Sequence, residues 1–360
     1  MDLLEQLSSV SGILQQEWRH AEKITQLTTK QLELIHQYKW FNLFVPRAFN
    51  GLELTLPEGL RIEEALAQLD GSLSWTVTLC SGANLFVGYL DFGLAKRLFR
   101  DPKVCLAGSG KASGQAHLNE KGYTISGQWS YATGAPHATA FTANCQLMAD
   151  GKPLLNERGE QVIKSFVFFD NEVQLLNDWQ TMGLKATASC SFKASNVLVD
   201  ESRCFEIHPS GAKLPHAIYR YPFQQLAETT LAVNTLGMAL RFLQCCEELF
   251  LTKYIQTDRY MVNKVNLRSS IIEAKEAVKN WKHTFYDLVT ESWEQLETQG
   301  QIDEMLLNRL SDCSLEMVRG IRQWIAFLYP YCGMYATHPE AEINYIFRNL
   351  FTASQHNLLV

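Results

Sequence analysis

The chain is 360 residues long, 46% hydrophobic and 19% charged, with 8 Trp, 13 Tyr and 19 Phe. So much apolar side chain buries a large core and excludes a disordered or low-complexity chain. With 32 Lys and Arg against 38 Asp and Glu, the formal charge is −6, so no basic field gathers nucleic acid or an anionic lipid surface.

The first twenty residues, MDLLEQLSSVSGILQQEWRH, lack the basic start and apolar core of a signal peptide. No run of about 18 apolar residues follows anywhere, so no membrane span is expected and the chain reads as soluble and cytoplasmic. Its 9 Cys are odd in number and form no C-x-x-C, which points to reduced thiols rather than a disulfide framework.

Three compositional zones follow. Residues 1–102 have apolar positions at helical spacing, as in Leu60, Ile62, Ala65, Leu66 and Leu69, interrupted by a loop at Val45-Pro46 and Asn50-Gly51. The run SLSWTVTLCSGANLFVGYL then predicts a buried helix pair. Residues 103–206 change to short β-rich segments, with a hairpin predicted where AHL and YTISGQW flank a turn ending in Gly122. A small antiparallel barrel or sandwich is expected there. Residues 207–360 return to long helices, beginning with FQQLAETTLAVNTLGMALRFLQCCEELFLTKY, and four in succession predict a bundle. The last is placed at about Pro339 to Ser354, with Thr337-His338-Pro339 read as its cap.

This order argues against common nucleotide folds. Gly108-Ser109-Gly110 has the wrong spacing for a dinucleotide loop and leads into a strand, and no P-loop, G-x-S-x-G or H-E-x-x-H occurs. His338 and Glu342 share a helical spacing but lack further ligands, so no metal site is expected. The segment SGQWSYATGAPHA (126–138) combines aromatic rings with the Thr133 hydroxyl. A flat ligand stacked there competes with simple aromatic packing as its explanation.

Five segments in order carry a family resemblance: LFVPRAFNGLEL (43–54), EEALAQLDGSLSW (63–75), GYTISGQWSYATGAPHA (122–138), WQTMGLKATASCSFKASNVLVDESR (179–203) and HPEAEINYIFRNLFTASQH (338–356). The chain resembles the acyl-CoA dehydrogenase superfamily, and within it the oxygenase components of two-component flavin-dependent monooxygenases. The resemblance implies an N-terminal helical domain, a middle β domain and a C-terminal four-helix bundle. It further implies flavin between the last two and a homotetramer or homodimer. Thr133 corresponds to the hydroxyl residue at flavin N5, Trp129 to a residue of the same strand wall, and Thr187 and Ser189 to a stretch beside the flavin ring. Ser109 matches a serine near substrate and flavin, Trp75 an aromatic pocket residue, Asn84 the neighbourhood of a substrate-side histidine, and His356 a C-terminal histidine proposed for general acid–base work.

The departures are equally specific. The dehydrogenase carboxylate base has no counterpart at Tyr331-Cys332-Gly333 or Thr352–His356. The superfamily's Arg-x-x-Phe-Gly stands here as Arg259-Tyr-Met-Val, which leaves FMN, its phosphate held by Arg259, as an alternative to FAD. The function implied is oxidation of a small organic substrate, aromatic ones included, by reduced FMN or FAD and O2 through a C4a-hydroperoxyflavin. No nicotinamide motif is present, so a separate flavin reductase is implied as partner. An acyl-CoA dehydrogenase and a non-catalytic binding protein remain the alternatives.

Overall fold

The computed structural model describes residues 3–254 and 261–360, with side chains described outside 251–266. Arg259 lies outside the described residues. Helix α1 (Leu3–Ile24) buries Leu7, Val10, Leu14, Trp18 and Ala21, a stripe at three- and four-residue spacing. Helices α2 (Thr29–Gln37) and α3 (Leu56–Leu69) each begin with a capping box, Thr28 with Gln31 and Thr55 with Glu58. Asp70 ends α3 and starts α4 (Gly71–Asn84), its Oδ1 accepting from the Ser72 and Leu73 amides.

The expected helix pair after Asp70 is one α-helix followed by a 3-10 turn at Leu85–Gly88. The reason is visible at Asn84, which pins the end of α4 to the first strand. Its Oδ1 accepts from Leu106 N at 2.8 Å, and its Nδ2 donates to Asn42 Oδ1 at 2.7 Å and Val104 O at 3.2 Å. Helix α5 (Phe92–Leu98) closes this part.

Eight strands follow: β1 (Leu106–Asn119), β2 (Gly122–Ala132), β3 (Ala140–Ala149), β4 (Lys152–Pro153), β5 (Ile163–Phe169), β6 (Gln174–Leu176), β7 (Cys190–Val199) and β8 (Cys204–Phe205). They form one sheet of order β6-β7-β2-β1-β3-β5-β8, with β4 on β3. The predicted hairpin is β1–β2, with Asn119 opposite Gly122. The expected antiparallel sheet is mixed instead, because β3 runs parallel to β1. The topology requires it: β7 occupies the far edge of β2, so the chain crosses to the free edge of β1 and runs opposite to β2.

The terminal helices are α6 (Phe223–Tyr254), α7 (Met261–Gln299), α8 (Glu304–Leu328) and α9 (Glu342–Ala353). The last starts later than expected. Ala341 is its N-cap, and residues 334–337 form a 3-10 turn, so Thr337-His338-Pro339 lies before the helix. Glu342 is occupied by Arg241, at 2.6 and 3.0 Å to its two carboxylate oxygens. Among the described residues no cluster of three or more His, Cys, Asp or Glu could hold a metal. All nine thiols are unbridged.

One apolar core runs from Leu7 to Leu359 and joins the two helical regions, while a second, smaller core lies in the sheet. Helix α6 packs on α3, α4, α8 and α9. Gly237 permits the α3 approach, since a Cβ there would come within 2.4 Å of Glu64 O. No helix among the described residues is long and apolar enough to cross a membrane.

Candidate functional site

The site lies where the sheet meets α4, α6 and the C-terminal tail. A partly open cavity of about 250 Å³ lies there. Helix α4 and its 3-10 extension contribute Thr78, Leu79, Gly82, Ala83 and Phe86, all on one face at helical spacing. The wall opposite comes from Gly108–Gly110 of β1 and Thr142–Asn144 of β3, and the floor from α6 between Phe223 and Leu231. His356 and Leu358 of the tail complete it. No Asp, Glu, Lys or Arg is among the lining residues. Phe86 forms an aromatic corner, its ring centroid 5.5 Å from that of Phe205 and 5.7 Å from that of Phe223.

The pairing of β1 with β3 slips between Ser109 and Gly114, as in a bulge. That irregularity opens the β1 backbone beside the cavity and puts half-buried Ser109 in its wall. Asn144 bridges the gap, its Nδ2 donating to Gly110 O at 2.9 Å while its Oδ1 accepts from Ser165 Oγ at 2.6 Å.

Thr133 stands at the back of the cavity, 4% exposed. Behind it run two more hydroxyls. Thr133 Oγ1 is 2.8 Å from Ser189 Oγ, which is 2.7 Å from Thr187 Oγ1. Thr187 Oγ1 in turn donates to Leu184 O at 2.8 Å. Helix α9 holds this loop, with Asn349 Oδ1 accepting from Leu184 N at 2.7 Å and Thr352 Oγ1 from Gly183 N at 3.0 Å. Tyr131, Leu184 and Ala188 bracket the three hydroxyls and all have left-handed backbone, with φ of 67°, 53° and 44°. Such strain in non-glycine residues persists where the surrounding structure imposes it.

His356 faces the cavity from the tail, and its Nδ1 accepts from Leu358 N at 3.3 Å. In the neutral ring that bond leaves the hydrogen on Nε2, which makes that nitrogen the donor of the imidazole. Burial lowers the pKa of His356 below its usual value, which favours this neutral form. The general-base part of the expectation conflicts with that arrangement, because a free Nε2 lone pair would put a second hydrogen opposite the Leu358 amide.

Of the expected site residues, the structure brings Ser109, Thr133 and His356 to one cavity. Trp75 is 6% exposed and stands behind His356 instead, its ring edge-on at 6.1 Å. Asn84 is fully buried and spent on the clamp between α4 and β1, so it is corrected from a substrate contact to a structural residue. Trp129 is also corrected. It is fully buried in the sheet core, stacked on Phe192 at 5.1 Å, with Nε1 donating to Asn144 O at 2.9 Å. Gly114 makes room for it, since a Cβ there would lie 2.1 Å from the indole. Thr187 and Ser189 lie behind Thr133, not in the cavity wall. Thr78, Thr230 and the Phe86 corner were missed by sequence reasoning. The run of small and hydroxyl residues in α4 (Ser74, Thr78, Ser81, Gly82) inside an otherwise apolar helix was the available signal.

The residues fit the ring of a reduced flavin: an uncharged lining, an aromatic corner, and the buried Thr133 hydroxyl able to meet a ring N–H. Among the described lining residues there is no cation for a phosphate.

No protein-family model matches the chain. It is 25% identical over 286 residues to the indole-3-acetate monooxygenase of Acinetobacter baumannii, covering 77% of this chain and 71% of that one. It is 21% identical over 226 residues to HsaA of Mycobacterium tuberculosis, the oxygenase subunit of a flavin-dependent monooxygenase, covering 61% of this chain and 56% of that one. The crystal structure of HsaA matches the fold with a TM-score of 0.90 at 19% identity, covering 99% of this chain and 93% of that one. XiaF from Streptomyces, solved with FADH2 and glycerol, matches with a TM-score of 0.89 at 19% identity over 99% and 91%. In sequence and fold the chain is thus a homologue of the oxygenase components of two-component flavin-dependent monooxygenases, built on the acyl-CoA dehydrogenase-like fold.

Proposed function

We propose that the chain is the oxygenase component of a flavin-dependent monooxygenase, receiving reduced FMN or FAD from a separate reductase and hydroxylating a small aromatic substrate with O2. The observation that carries this reading is the uncharged cavity between sheet and α6, with Thr133 at its back and His356 at its side. Bound reduced flavin supplies the electrons that activate O2, and the protein supplies position and dryness. Thr133 holds the hydrogen at flavin N5. His356 donates from Nε2 toward substrate or oxygen, and Ser109 adds a polar contact at the β1 wall. Apolar walls from Leu79 to Leu231 keep water from the reaction.

The lack of lining charge selects an uncharged reacting portion of the substrate, and the Phe86 corner favours a flat ring. The same lack speaks against the dehydrogenase alternative, which needs a carboxylate base at the α-carbon of a thioester. Arg259, outside the described residues, is kept as the candidate for the flavin phosphate, and the domain limits in this reading are 1–102, 103–206 and 207–360. A homotetramer or homodimer is part of this reading. Exposed Phe327 at the end of α8 and Met334 in the 3-10 turn of residues 334–337 offer apolar surface for it.

The test supplies chemically reduced FMN or FAD, isotope-labelled O2 and a panel containing indole and phenol. Labelled oxygen in a hydroxylated product supports the reading. Absence of product with every flavin, together with anaerobic bleaching of bound flavin by acyl-CoA thioesters, refutes it in favour of a dehydrogenase.

A further inference from the structure

The hydroxyl row behind the cavity has a direction. Each hydroxyl owns one hydrogen, and a carbonyl oxygen owns none. At 2.8 Å from Leu184 O, the hydrogen of Thr187 must lie between the two oxygens, since two lone pairs would otherwise face each other. Thr187 then has none for Ser189, so Ser189 donates to Thr187 across 2.7 Å. Ser189 has none left for Thr133, so Thr133 donates to Ser189 across 2.8 Å. Thr133 Oγ1 is left with lone pairs alone toward the cavity. The order is imposed by one backbone carbonyl, itself fixed by the Asn349–Leu184 bond and by Trp179 Nε1, which donates to the same oxygen at 2.9 Å.

We propose that Thr187 and Ser189 are positioning residues that lock Thr133 as a hydrogen-bond acceptor, so that the cavity discriminates between the two redox states of a flavin. The proposal rests on the flavin reading above. Reduced flavin carries a hydrogen on N5 and meets the Thr133 lone pairs as a donor. Oxidised flavin presents an N5 lone pair, which the locked hydroxyl cannot serve. A lone threonine, free to rotate, would serve both and select neither. Both relay residues are nearly or fully buried, so water does not compete for their hydrogens.

The experiment is anaerobic titration of the intact protein with oxidised and with reduced FMN and FAD, in wild type, Thr187→Val, Thr187→Ser and Ser189→Ala. Valine keeps the shape of threonine and removes the hydroxyl. It frees the hydrogen of Ser189 and lets the Thr133 hydroxyl turn into the cavity. The expected result is preference for reduced flavin in wild type and a fall in that preference of about tenfold in Thr187→Val, the worth of one hydrogen bond. Affinity for oxidised flavin should rise as affinity for reduced flavin falls. Thr187→Ser should restore the wild-type ratio, and Ser189→Ala, which removes the acceptor of Thr133, should lower it. An unchanged ratio in both Thr187→Val and Ser189→Ala overturns the proposal, as does a parallel loss of both affinities, the mark of mere structural damage. Failure of wild type to bind either redox state overturns the flavin reading itself and the proposal with it.

Discussion

Gly82 offers a perturbation that separates folding from function. It sits near the end of α4 with its hydrogen side toward the cavity, and a Cβ built there meets no atom within 4 Å. In Gly82→Leu the backbone gains helix propensity, worth about 1 kcal/mol relative to glycine. For a chain of this size that raises Tm by roughly 1 °C. The four added leucine carbons would project from the α4 face into the cavity of about 250 Å³ and narrow it. Substrate should then lose its place while the fold is kept or strengthened. The assay pairs a thermal melt with product formation from reduced FMN, O2 and indole or phenol. We expect an unchanged or slightly higher Tm and a fall in kcat/KM of at least about tenfold, the effect of one lost methylene-scale fit or more. Full activity in Gly82→Leu, with the protein folded, would refute the assignment of this cavity as the reaction chamber.

Three further outcomes follow from the same geometry. The pKa of His356 is lowered by burial, so the ring is neutral at and above its usual value of 6.5 and charges only at lower pH. The stability it contributes is present above that value and lost as pH falls, and turnover should fall on the same acid side as Nδ1 gains a hydrogen opposite the Leu358 amide. His356→Asn should be slower by about tenfold to a hundredfold and lack that acid limb, and an acid limb that persists in the variant would contradict the assignment. Glu63 is fully buried, and burial raises its pKa well above 4.5. The folded state therefore keeps its proton to higher pH than the unfolded chain does, and stability declines as pH rises above the unfolded value. Glu63→Gln should flatten that decline by one proton in urea titrations from pH 5 to 8, leaving the part due to Asp70, whose pKa burial also raises. Asn84→Ala strands buried partners at Asn42, Val104 and Leu106, and should cost about 3 kcal/mol by urea unfolding, while leaving the redox preference for flavin unchanged.

The order of helical, sheet and helical regions was legible because apolar spacing changes period from 3.6 to 2 and back, and the hairpin at Gly122 declared itself by its turn. Side-chain direction was less so. Trp129 and Thr133 are four residues apart and would share a face of a regular strand. The pairing of β2 with β7 slips between Trp129 and Ala132, and Tyr131 takes a left-handed φ of 67°, so the indole goes to the sheet core and the threonine to the cavity. Asn84 was misread because its partners at 42, 104 and 106 come together only in the fold. The parallel β1–β3 pair was invisible for a similar reason, since it depends on β7 claiming the edge of β2. Thr187 and Ser189 were expected beside the flavin ring; their place behind Thr133, and hence their direction of donation, required the distances.

The central claim is that a reduced flavin ring occupies the cavity bounded by β1, β3, α4 and α6. A crystal grown without oxygen in the presence of reduced FMN tests it most directly. The account predicts ring density in that cavity, with N5 within hydrogen-bond reach of Thr133 Oγ1 and His356 at its margin. Ring density at any other place on the chain, or saturating reduced FMN with the cavity left to protein side chains, would contradict it.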